Sequence, residues 1–136
     1  MVTGAWALVT FEQESNEGEI SYPLGKDARG SIYYLPDGHV SVHIMRSDRG
    51  ITVDESLVFG QNLQYNQLGY LAYSGRFHVD EELQIMIHEL DISLYPEWVG
   101  GQQIRKIELN GNRLQLSSNG PVGDNQIRFR LLWEKS

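Results

Sequence analysis

The sequence predicts an all-β chain, an up-and-down antiparallel barrel of about eight strands with one short helix. Three observations predict it. Short runs alternating apolar and polar residues recur at regular spacing along the chain. Tight-turn signals, Pro36-Asp37-Gly38 and Asn110-Gly111-Asn112, join consecutive runs. Only one segment, Asp54 to Gln67, carries apolar residues at roughly helical spacing. Consecutive hairpins in that number roll most simply into a closed cylinder, which removes exposed strand edges.

Each element has its own justification. Gly4-Ala5-Trp6 opens a first strand with Trp6 and Leu8 on one face and Ala7, Val9 and Phe11 on the other. Both faces are apolar, so the strand needs cover on each. Glu12 to Glu19 is polar and reads as a loop, and Tyr22-Pro23-Leu24-Gly25 as a turn. Ser31–Leu35 and His39–Met45 form a hairpin about Pro36-Asp37-Gly38. Arg46 to Val53 is a rim loop ahead of the helix, where Asp54 is a natural cap. Tyr70–Val79 pairs with Leu83–Ser93 across Asp80-Glu81-Glu82. Gln102–Leu109 pairs with Arg113–Ser118, a glycine-rich loop runs from Ser118 to Asn125, and Gln126–Trp133 closes the chain. In that last strand Ile127, Phe129, Leu131 and Trp133 alternate against Arg128, Arg130 and Glu134.

The totals exclude several function classes. With 136 residues the chain fits one domain, residues 1–136, with no linker, repeat or low-complexity tract. Formal net charge is -7 and the basic residues are scattered, which argues against a nucleic-acid or anionic-membrane partner. No apolar run reaches the length of a membrane span, and no basic region precedes an apolar one at the N-terminus, so a cytoplasmic location is expected. The absence of cysteine removes disulfides, thiolate chemistry and cysteine zinc sites.

A few side chains carry possible chemistry. In Leu83–Ser93, His88 shares a face with Met86, Leu90 and Ile92, while Glu89 and Asp91 point the other way. A histidine in such a place is either a hydrogen-bonded core residue or an acid/base group inside a cavity. Arg105 shares parity with Ile107 and Leu109, and an inward arginine must be paired. The two readings are an ion pair with Glu97 or another carboxylate, and an anchor for a ligand carboxylate or enolate. Tyr33, Tyr73, Tyr95 and Trp98 are the expected cavity aromatics, with Met86, Phe129 and His43 as further lining. His39 and His43 lie four apart on one face of a strand but lack a third ligand of recognisable spacing, so no metal site is expected. No catalytic serine triad, phosphate loop or dinucleotide signature is present.

Gly4-Ala5-Trp6 is similar to the Gly-x-Trp that starts the first strand of lipocalins. The chain further resembles the bacterial lipocalin-like domain family of the calycin superfamily. The blocks carrying that resemblance are Tyr22-Pro23-Leu24-Gly25, Gly30 to Tyr34, Asp37-Gly38-His39, Tyr73-Ser74-Gly75-Arg76, Pro96-Glu97-Trp98-Val99-Gly100 and Leu132-Trp133-Glu134. It implies an eight-stranded barrel closed at one end, with a mostly apolar cavity. It also implies a basic side chain from the last strand packed across Trp6, for which Arg128 and Arg130 are candidates and Arg130 is favoured. The related haem-binding barrels use a late histidine and none follows His88, so no cofactor is expected.

Three functions follow as expectations. One is a barrel that binds a small hydrophobic or amphipathic molecule, with Arg105 and His88 as polar anchors. Another is a cofactor-independent cyclase or isomerase acting on a polyketide-like intermediate, with His88 or Tyr73 moving a proton and Arg105 stabilising an oxyanion. The third is a solid barrel serving assembly, dimerising through an outward Ala7, Val9 and Phe11 face; a homodimer is the default expectation for so small a chain.

Overall fold

A computed structural model describes residues 2–15, 17–47, 69–118 and 128–136. The strands are β1 (Gly4–Glu14), β2 (Ile20–Ser21), β3 (Arg29–Tyr34), β4 (His39–Met45), β5 (Tyr70–Asp80), β6 (Ile85–Ser93), β7 (Gln102–Asn110), β8 (Arg113–Ser118) and β9 (Arg128–Lys135). Every neighbouring pair is antiparallel. β1 pairs with both β3 and β9, so eight strands close into a ring, and the two-residue β2 sits on the end of β1. A 3-10 turn at Pro96–Trp98 links β6 to β7. The helix expected over Asp54–Gln67, most of the rim loop before it and most of the loop after Ser118 lie outside the described residues. No described helix is long and apolar enough to cross a membrane.

Pleat alternation sends Ile32 and Tyr34 of β3, Val40, Val42 and Ile44 of β4, and Met86, His88 and Leu90 of β6 into the barrel. Together with Trp6, Leu114 and Trp133 they form one continuous core. Two β-bulges change the faces expected from simple alternation. Between Leu8 and Thr10 the register to β9 shifts by one residue. Phe11 therefore turns inward and lines the cavity, and the outward Ala7, Val9 and Phe11 strip does not form. Between Ser74 and Gly75 the register to β6 shifts at Asp91. Ile92 consequently leaves the face of His88 and is 68% exposed. β1 also runs on to Glu14, through residues expected as loop, because Glu12, Gln13 and Glu14 pair with Arg130, Phe129 and Arg128.

The basic side chain over Trp6 is Lys135, with Nζ 4.8 Å from the ring centroid. Neither Arg128 nor Arg130 takes that place. The antiparallel register sets Lys135 opposite Trp6 and Arg128 opposite Glu14, at the far end of β1. Arg130 instead spans Glu12 and Glu14 on the outer wall, at 3.2 and 3.4 Å. The Trp6 indole donates to the Val2 carbonyl at 2.7 Å, and the Lys135 ammonium donates to the Thr3 carbonyl at 2.6 Å. Gly4 has φ +128, and a Cβ there would lie 2.9 Å from Lys135 Nζ, so glycine leaves room for the lysine to cross. Lys135→Ala is expected to cost about 1 kcal/mol, through a lost cation–π contact and an unpaired carbonyl, read as a lower urea midpoint at unchanged slope.

Candidate functional site

A cavity of about 430 Å³ occupies the half of the barrel away from the tight hairpins. Its wall is mainly apolar. β1 contributes Phe11, the turn before β3 contributes Leu24, and β3 and β4 contribute Ile32, Val42 and Ile44. Pro23, Leu71, Leu116, Phe129, Leu131 and Trp133 add to that surface. Polar groups gather on the side of β5, β6 and β7, where Tyr73, His88, Gln103 and Arg105 meet, with Tyr95 and Trp98 from the 3-10 turn alongside.

His88 is the one buried polar or charged residue among those described, 1% exposed, and both ring nitrogens are bonded. Nε2 meets the Tyr34 hydroxyl at 2.8 Å and Nδ1 meets the Tyr73 hydroxyl at 2.6 Å. Burial, followed by the Arg105 charge, pushes the imidazole down to about 3, so it is neutral at pH 7. Burial also raises Tyr34 and Tyr73 above the usual phenol range, and Tyr95 to about 12. A neutral imidazole offers one donor and one acceptor. Tyr34 is wholly buried with His88 as its hydroxyl's bonding partner among the described residues, so its O–H donates to Nε2. The opposite arrangement would strand a buried donor at a cost of about 1–3 kcal/mol. The ring proton then sits on Nδ1 and is donated to the Tyr73 oxygen. The Tyr73 O–H is left without an acceptor among the described residues, at the cavity surface.

Arg105 is half-buried beside this trio. One guanidinium nitrogen donates to the Ile104 carbonyl at 2.8 Å and another to Gln103 Oε1 at 2.5 Å. Among the described residues no carboxylate pairs with it, and the expected ion pair with Glu97 does not form, since Glu97 lies exposed on the 3-10 turn. Burial lowers the Arg105 pKa, partly offset by Tyr73. Tyr95 donates to the Tyr70 carbonyl at 2.6 Å and packs edge-on against Trp98, with centroids 4.5 Å apart.

The structure thus brings together Tyr73, His88, Tyr95, Trp98, Arg105 and Phe129. It does not bring in Tyr33, His43 or Met86. Tyr33 points outward, 43% exposed, because its neighbours Ile32 and Tyr34 take the inner face. His43 is likewise outside, bonded to Ser41 Oγ at 3.3 Å and the Tyr70 hydroxyl at 3.1 Å. Met86 points inward but is sealed in the core and does not line the cavity. Tyr34, which bonds His88 from outside the cavity lining, was legible from parity: Ser31 and Ser41 mark the outer faces of β3 and β4, so Tyr34 shares the apolar side. Gln13 and Gln103 also line the cavity. Gln103 was legible from its shared parity with Arg105, whereas Gln13 was hidden by the bulge in β1.

A closed antiparallel barrel of eight strands around a central cavity is the lipocalin-like class of architecture. The chain belongs to the lipocalin-like domain family, whose model matches residues 3–136. Over 74 residues it is 39% identical to the 4'-hydroxy-3'-methoxypropiophenone carrier protein ppsC of Aspergillus oryzae, an alignment covering 48% of this chain and 67% of that protein.

Proposed function

We propose that this protein binds a small aromatic molecule, non-covalently, in the barrel cavity. The observation that carries the reading is the cavity itself, about 430 Å³ of mainly apolar wall with polar groups gathered at one side. That size and that division of surface suit a ligand of one or two rings with a single polar end. The relative named as a carrier of a substituted propiophenone supports the same class of ligand.

The cyclase or isomerase reading is weaker on chemical grounds. A general base works best with a pKa near the working pH, and His88 is held at about 3. Tyr34 and Tyr73 are shifted upward, away from easy proton loss. These groups suit hydrogen bonding at neutral pH better than proton transfer.

Titration with N-phenyl-1-naphthylamine tests the proposal. Saturable, blue-shifted fluorescence is expected, displaced by 4'-hydroxy-3'-methoxypropiophenone. Filling the cavity with Leu71→Trp should weaken the dye by about tenfold or more while far-UV circular dichroism stays unchanged. Unsaturable binding, or a Leu71→Trp variant that binds like the parent, would exclude the cavity as the site.

A further inference from the structure

We propose that the cavity selects ligands carrying an anionic oxygen, which supplies the counter-charge that Arg105 lacks among the described residues. This rests on the reading that the cavity binds a small aromatic molecule. The whole chain carries net charge -7, yet among the described residues no carboxylate lines the cavity and one arginine does. The two acceptors bonded to Arg105, the Ile104 carbonyl and Gln103, are both uncharged. A guanidinium has five N–H groups, so donors remain for an incoming oxygen. A partly desolvated cation without a charged partner is costly, and an anion arriving with the ligand removes that cost.

The neighbouring groups point the same way. Among the described residues, the hydrogen-bond chain from Tyr34 through His88 leaves the Tyr73 O–H without an acceptor, close enough to Arg105 to feel its charge. Around Arg105 the cavity thus offers N–H and O–H donors, and an ionised carboxylate, phenolate or enolate meets them with acceptors only.

A matched pair of dyes provides the test: 8-anilinonaphthalene-1-sulfonate is N-phenyl-1-naphthylamine with an added anionic group. The parent is expected to hold the anionic dye about 30-fold tighter than the neutral one. Arg105→Met should weaken the anionic dye by about 30-fold or more and leave the neutral dye within about threefold. Tyr73→Phe should give a smaller loss of about tenfold, again confined to the anionic dye. Competition by 1-naphthoate against its methyl ester repeats the comparison on the parent alone, so the result survives a variant that folds poorly. Equal affinity of the parent for both members of each pair would overturn charge selection while leaving the cavity reading intact. Parallel weakening of both dyes by Arg105→Met would overturn it too. Failure of the parent to bind either dye would remove both proposals.

Discussion

Gly75→Ala is expected to destabilise the barrel by at least about 3 kcal/mol, or to prevent recovery of folded protein. A Cβ at Gly75 would overlap the Glu89 carbonyl oxygen and lie 3.0 Å from the Asp91 nitrogen. All the atoms in the way belong to the β6 backbone, which the bulge at Asp91 folds over Gly75, so no side chain can rotate aside. Relief requires undoing the bulge. That would return Ile92 to the inner face and shift the turn carrying Tyr95 and Trp98. Urea unfolding measures the cost, with Ser74→Ala on the outer face of the same strand as control, expected within about 0.5 kcal/mol of the parent. A Gly75→Ala variant as stable as the parent would mean the bulge is wrongly placed.

Acid should weaken the fold steeply through His88. The folded protein holds the imidazole near 3 against 6.5 for an ordinary histidine, so below 6.5 the unfolded chain binds a proton that the folded chain refuses. The stabilisation is complete above pH 6.5 and is lost as pH falls towards 3. Each unit in that window costs about 1.4 kcal/mol, so a drop of two units should remove about 2–3 kcal/mol. Tyr34 and Tyr73 add to the penalty, because a doubly protonated ring has no acceptor for the buried Tyr34 hydroxyl. His88→Gln keeps a donor and an acceptor but cannot titrate. Its stability at neutral pH should be lower, while the excess slope between pH 6.5 and 4.5 should vanish, read by urea unfolding at several pH values. Equal slopes for parent and variant would show that His88 is not the group that resists protonation.

Much of this architecture was legible along the chain, and the reason is periodicity. Alternation in Ser31–Leu35, His39–Met45, Leu83–Ser93 and Gln102–Leu109, punctuated by Pro36-Asp37-Gly38 and Asn110-Gly111-Asn112, fixes strands, turns and the inward side of His88 and Arg105 without reference to distant residues. Those are local consequences of a pleat with period two. Bulges are not local in that sense. One extra residue in β1 or β6 reverses every face beyond it, and only the partner strand reveals where it falls, as Phe11 and Ile92 show. Register decided the rest. It set Lys135, and not Arg130, over Trp6, and it placed Tyr34 and Tyr73, from strands far apart in sequence, on the two nitrogens of one imidazole. By itself the sequence determined a closed sheet with an imidazole and a guanidinium on its inner wall. Which tyrosine is left with a free proton, and whether the guanidinium has a counter-ion, depend on contacts between non-neighbouring strands, and only the tertiary structure decided them.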